Sequence, residues 1–217
     1  MPPARVPTGG PAVAEHVAVA PLEGRTGAYL TVRDAASRVE VAVAVLPGLL
    51  YRISTPAGSG LAPLPSAERG GRIQVRFRRT GGDGPDDVRI VLNRDVRWDL
   101  RLPAGAGEQQ LDLAAGRVTR VDLGPCGLAE LRLGAPAGTV PVTFARGVGR
   151  VIMAVADAPV GLRLNAGAGA VVTPWAVRAG VAGAQVLEEP GWPIARDRYA
   201  VVARSGVGSL TLRRLGR

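Results

Sequence analysis

Apolar and polar residues alternate along most of this 217-residue chain, in short runs punctuated by glycine. Val39-Glu40-Val41-Ala42-Val43-Ala44-Val45 is the cleanest run, and Ile73-Gln74-Val75-Arg76-Phe77 repeats the pattern. Period-two alternation rich in Val and Leu predicts strands with one buried face. From residue 88 onward the runs pair up around a glycine. Val121/Leu123 precede Gly127 and Leu131/Leu133 follow it, while Val140/Val142/Phe144 precede Gly147 and Val151/Met153 follow it. Gly107, Gly127, Gly147 and Gly167 stand 20 residues apart, and Gly206 resumes the pattern after an inserted segment.

A fixed period of this length marks a stacked repeat. Two strands and two turns fill 20 residues, whereas a strand–helix–strand unit needs roughly 30. The pattern therefore predicts an all-β fold of stacked two-strand repeats, either a β-solenoid or a sandwich of two facing sheets. A meander of ordinary hairpins is the plainer alternative, and the repeated placement of glycine four residues before an apolar residue disfavours it. A leucine-rich repeat would need an Asn or Cys ladder, and Asn165 and Cys126 stand at unrelated phases. The five glycines are assigned to turns, where a residue without Cβ adopts positive φ.

Residues 1–12 read as a loose Pro/Gly-rich tail, 13–87 as an N-terminal β region, and 88–217 as the repeat region. Within the first region, 56–72 shows no periodicity and reads as a loop. Within the second, 172–198 departs from the repeat. It carries Trp175, Glu188, Glu189, Trp192, Arg196 and Asp197, a candidate binding patch grafted on the scaffold. The same departure suits a cap over the open end of a stack, which is the preferred reading.

Composition sharpens this only in part. Hydrophobic residues make up 47% of the chain but aromatics only 4%, which implies a core of Val, Leu and Ala in thin layers. The net charge is +9 and every one of the 27 basic residues is Arg. Most of the surplus falls after residue 88. A basic surface attracts anionic polymers and lipids. Arg is nowhere interleaved with aromatics as a base-stacking surface requires, so nucleic acid is not expected, and an all-Arg chain also fits GC-rich codon usage.

The chemical inventory is thin. His16 is the only histidine and Cys126 the only cysteine, too few for a zinc site or a nucleophile–base pair at any evident spacing. Cys126 reads as a small buried hydrophobe. No glycine-rich loop leads into a helix with Lys, so no phosphate cradle is present. Asp83, Asp86 and Asp87 lack the ladder of a calcium loop and read as an exposed turn. One enzyme class remains open, carbohydrate cleavage by paired carboxylates, for which Asp112, Asp122 and Glu130 are the candidates. They alternate with Arg117, Arg120 and Arg132, which is also how a solvated sheet face balances charge. No catalytic, metal or cofactor residue is assigned. The N-terminus lacks the apolar core of a signal peptide and no apolar run approaches a membrane span of about 20 residues. The chain thus reads as cytoplasmic, with envelope association through a partner.

The glycine-punctuated rungs, the Gly191-Trp192 insert followed by Asp197-Arg198-Tyr199, and the closing Ser205-Gly206-Val207-Gly208-Ser209-Leu210-Thr211-Leu212 resemble a bacterial family over about residues 70–217. It is the toastrack or "putative adhesin" family of β-repeat domains, common in actinobacteria. The resemblance implies an all-β stack and, for many members, attachment to an envelope or stress-response protein, and it supplies no catalytic residues. The sequence thus points to a non-enzymatic, adhesin-like scaffold or interaction module with an unknown protein or envelope partner, able to oligomerise through sheet edges or ends. Carbohydrate binding or cleavage is the alternative, and basic-surface binding of anionic polymers a third reading.

Overall fold

The computed structural model describes residues 15–68 and 70–216; the tail 1–12 lies outside them. Strands β1 (Glu15–Pro21), β2 (Gly27–Val32), β3 (Ala36–Ala44), β4 (Leu49–Pro56), β5 (Leu61–Glu68), β6 (Arg72–Arg79) and β7 (Asp87–Asn93) form the first part. Strands β8 (Arg97–Leu102), β9 (Ala106–Leu113), β10 (Arg117–Leu123), β11 (Cys126–Leu133), β12 (Thr139–Phe144) and β13 (Val148–Val155) follow. The last are β14 (Val160–Leu164), β15 (Ala168–Thr173), β16 (Ala176–Val181), β17 (Gln185–Glu188), β18 (Arg198–Ala203) and β19 (Val207–Arg214), with one 3-10 turn at Trp192–Ile194.

Apart from the antiparallel hairpins β5–β6 and β15–β16, successive strands do not pair with each other. From β7 to β15 they fall alternately into two facing sheets, so each rung there supplies one strand to each. One sheet runs β1-β4-β7-β3-β9-β11-β13-β19-β15-β16 and the other β5-β6-β2-β8-β10-β12-β18-β14-β17. We call these sheet A and sheet B. Parallel neighbours need a crossover connection, and here the strand in the opposite sheet is that crossover. The solenoid and the two-sheet sandwich are thus the same object, and both sheets run without a break across residues 87 and 88.

Parallel in-register stacking sorts the core into columns. Leu111, Leu131, Met153 and Leu212 line up across sheet A. Leu30, Leu100, Val121, Val142, Val201 and Leu162 line up across sheet B. All are buried, and each contributes about 1.5–3 kcal/mol of burial free energy. Trp98 is the large exception. It is fully buried and its Nε1 donates to Asn93 O at 2.9 Å. Gln109 is also fully buried, between Val39 and Ala129, and neither of its amide atoms has a partner among the described residues.

The glycines form two columns rather than one. Gly107, Gly127, Gly149, Gly208 and Gly169 occupy equivalent places, because Leu131 pairs with Met153 and not with Val151. Gly105, Pro125, Gly147, Gly206 and Gly167 form the column two residues earlier. The even 20-residue spacing therefore crosses from one column to the other between Gly127 and Gly147. A two-residue slip keeps every side chain on its own face, so alternation alone cannot reveal it. Gly107 and Gly127 lie inside β9 and β11, where strands approach too closely for a side chain. A Cβ at Gly149 would stand 2.6 Å from Gly127 O, whereas one at Gly147 would meet nothing nearer than 3.9 Å. Of the five assigned glycines, only Gly167 has positive φ, at 85°.

Rung order departs from chain order at both ends. At the C-terminal end the chain leaves β13, skips one place to form β14 and β15, and turns back through β16 and β17 as antiparallel edge strands. It then threads β18 and β19 into the skipped place. At the N-terminal end β2 and β3 lie inside, β4 and β5 lie farther out, and β6 and β7 are threaded between them, which leaves β1 and β5 as the edge strands. The stretch expected as a loop, 56–72, contains β5 with Pro63 and Pro65. That strand pairs with β6 alone, and an edge strand tolerates missing N–H donors on its open side.

Two outcomes are expected in thermal melting. Gly149→Val should cost about 1–3 kcal/mol through overpacking, or roughly 2–4 °C per kcal/mol for a chain of this size, while Gly147→Val should cost much less. Gln109→Leu should raise the midpoint, because it replaces a buried unpaired amide by an apolar group of similar shape. Equal melting of the two glycine variants would contradict the column assignment.

Candidate interaction surfaces

The six residues of the candidate patch do not form one site. Trp175 lies in the turn between β15 and β16, half-buried against the core, with Nε1 buried and without a partner among the described residues. Trp192 belongs to the other sheet. Its ring covers Gly161 of β14, where a Cβ would stand 2.5 Å away, and its Nε1 donates to Tyr199 O at 2.8 Å. The Arg198 guanidinium stacks 4.5 Å from the Trp192 ring centroid and donates to Trp192 O and Pro193 O. Glu189 is a clamp. Its Oε2 accepts from Val160 N at 3.0 Å and its Oε1 pairs with Arg214, which also donates to Ala156 O and Ala158 O. This pair fixes the connection that skips a rung. Asp197 is exposed and accepts from Gly138 N at 2.6 Å, and Arg196 is exposed. Glu188 is exposed opposite Gly161. Together with Val186, Trp192, Ala200, Val202 and Arg163 it lines a shallow cavity of about 290 Å³.

The candidate carboxylates divide between opposite faces. Asp112 and Glu130 stand on the outer face of sheet A and Asp122 on that of sheet B. Asp122 therefore cannot flank the same bond as the other two. Asp112 is paired with Arg132 at 3.3 Å. Glu40, Gln110 and Glu130 stand in register across β3, β9 and β11, about 4.8 Å apart, along one wall of a groove of about 320 Å³ with Arg132 and Arg213 opposite. On sheet B, Asp99 is nearly buried between Arg101 at 2.8 Å and Arg120 at 3.6 Å, and Asp122 lies 3.9 and 3.7 Å from the same arginines. The hydrogen bond to Asp99 pushes the Arg101 pKa up further. A bulge at Thr119 makes this cluster: the extra residue re-aims Arg120 to stand opposite Asp99.

Charge is segregated by face rather than by sequence half. The outward side chains of sheet A comprise Arg38, Arg52, Arg89, Arg132, Arg150 and Arg213 against Glu15, Glu40, Asp87, Glu108, Asp112 and Glu130, a balanced set. Those of sheet B comprise Arg72, Arg76, Arg78, Arg97, Arg101, Arg117, Arg120, Arg163 and Arg198 against only Glu68, Asp99, Asp122 and Glu188. Alternation in the sequence carries this signal, but only the register tells which strands share a sheet.

The remaining chemical candidates are dispersed. His16 lies on edge strand β1, five strands from Cys126 on β11, or about 24 Å. Cys126 is buried, and burial pushes its thiol up to about 11. Burial also raises the Tyr199 pKa; its hydroxyl donates to Gly134 O at 2.6 Å. Asp86 accepts from Ser59 Oγ at 3.2 Å. Among the described residues no group of three His, Cys, Asp or Glu is placed to hold a metal ion. Among the described residues no helix is long and apolar enough to cross a membrane.

No family model matches the chain, and no curated protein matches it. Among solved structures, the chain is similar to a "putative cell adhesion protein" of Clostridium sporogenes. That match has a TM-score of 0.72 and 15% identity, and covers 93% of this chain and 99% of the other. The two share a fold. A "putative adhesin" of Bacteroides fragilis aligns over 93% of this chain and 98% of the other, at 7% identity and a TM-score of 0.33.

Cys126 yields a checkable pH effect. Its folded pKa lies above the usual value of 9.0, so the folded state holds a proton that the unfolded state releases. Stability should therefore fall as pH rises from about 9 to 11. Burial raises the pKa of Tyr51 and Tyr199 as well, so the readout is the difference from Cys126→Ala, which should flatten part of the slope. Native protein at pH 8 should resist iodoacetamide until it unfolds.

Proposed function

We propose that this chain is a non-enzymatic β-repeat interaction module of adhesin type, which holds a protein or envelope partner against its exposed sheet faces. The observation that carries the reading is the fold shared with a "putative cell adhesion protein" over 93% of this chain and 99% of that one. The faces themselves support it. Rungs about 4.8 Å apart present regular ladders of polar groups on a rigid backbone, a geometry suited to holding an extended partner. Candidate acids held by arginine, such as Asp112 and Asp122, serve the sheets rather than a bond-breaking step.

A second reading, carbohydrate binding, is favoured by the sheet A groove. Its Glu40–Gln110–Glu130 ladder offers a hydrogen-bond acceptor at each rung and a donor at Gln110 to a linear glycan lying across the strands. One experiment covers both readings. The whole chain is passed over immobilised envelope polymers, glycans and envelope proteins, with product release followed in parallel. Saturable binding without turnover is expected. Selective loss with Gln110→Ala and Glu130→Ala would identify the groove as a glycan site. Product release would overturn the non-enzymatic reading, and absence of saturable binding throughout would overturn the adhesin reading.

A further inference from the structure

The arginine surplus on sheet B is not evenly neutralised. Arg97 and Arg117 are in-register neighbours on β8 and β10, both exposed, and neither has a carboxylate within ion-pair distance among the described residues. Like charges directly opposite on adjacent strands destabilise a sheet. The fold has a remedy for such crowding, as the Asp99 cluster two residues further along shows, yet it leaves this pair uncompensated. Such an arrangement suits an external anion.

The same face also carries apolar side chains in water. Tyr29 is 47% exposed, Leu64 56%, Val186 49% and Ile194 91%. Ile194 ends the 3-10 turn that sits on sheet B, and it is not a floppy loop residue. Trp192 seats the turn on Gly161, and Arg198 ties down the carbonyls of Trp192 and Pro193. A rigidly mounted, solvent-facing isoleucine beside basic side chains gains nothing from a polymer that offers only charge. It gains from a medium with anionic groups at its surface and hydrocarbon beneath. The sheet is nine strands wide, about 38 Å across, a scale suited to a planar partner.

We propose that the outer face of sheet B docks on an anionic lipid bilayer, with arginines led by Arg97 and Arg117 on the headgroup phosphates and Ile194 entering the interface. This goes beyond the adhesin reading and stands without it, since that reading concerns envelope polymers and proteins and this one a lipid surface.

The test is co-sedimentation of the whole chain with vesicles of phosphatidylcholine, alone or with 30% phosphatidylglycerol. Binding is expected only to the anionic vesicles and should weaken steeply with added salt. Arg97→Ala with Arg117→Ala should reduce partitioning by about 30-fold, at roughly fivefold per charge. Ile194→Ser should reduce it by about tenfold while leaving binding to dextran sulfate and to duplex DNA unchanged. Because Ile194 is almost fully exposed, that variant should keep the parent's melting temperature, which separates docking from misfolding. Failure to bind anionic vesicles overturns the proposal. So does equal binding by Ile194→Ser with dextran sulfate competing fully, which would mark the face as a general polyanion surface.

Discussion

Each rung of this protein is held by the rung stacked beside it. A strand shares hydrogen bonds with chain that is typically 20 or more residues away, and its side chains sit on the like side chains of that neighbour. The core thus becomes columns of leucine and valine, and aromatic rings are scarce because a column repeating every 4.8 Å or so favours side chains of uniform, modest volume. The glycine column obeys the same constraint. Where strands enter sheet A, backbone approaches backbone too closely for a Cβ, and one large residue there would press on both neighbouring rungs.

Stacking also creates the molecule's main hazard, two open ends. Both are closed by antiparallel strands, β1 and β5 at one end and β16 and β17 at the other. The closures differ in chemistry. Pro63 and Pro65 interrupt the donors of β5, a common defence of an edge strand, while β16 has no proline and one arginine. The inserted segment thus supplies the end strands of both sheets. Its most distinctive residues, Trp192, Glu189 and Arg198, work on the fold itself and on the turn that presents Ile194.

Much of the architecture was legible because period-two alternation and glycine punctuation survive in single sequences. The two-sheet stack follows from Val121/Leu123 and Leu131/Leu133 falling on either side of a glycine within one short period. The alignment of rungs was not legible, because pairing Leu131 with Val151 or with Met153 satisfies the same alternation. β5 was hidden by its prolines, which argue against a strand unless its edge position is known. The candidate surface was legible only in fragments. Arginine was countable, but its concentration on one face depends on which strands share a sheet and on the Thr119 bulge that turns Arg120 outward. Glu189 read as a binding residue because its partner, Arg214, is 25 residues away.

The threaded C-terminal rung has a consequence for biogenesis. The place between β12/β13 and β14/β15 stays vacant until β18 and β19 arrive, so a chain still emerging from the ribosome holds four strands with unpaired edges and no native neighbour to meet them. Filling that place waits for residues 198–214, and insertion between two existing rungs is a non-local step. The nascent chain is therefore most exposed to wrong pairing until residues 198–214 have emerged, and chaperone protection would matter most over that interval.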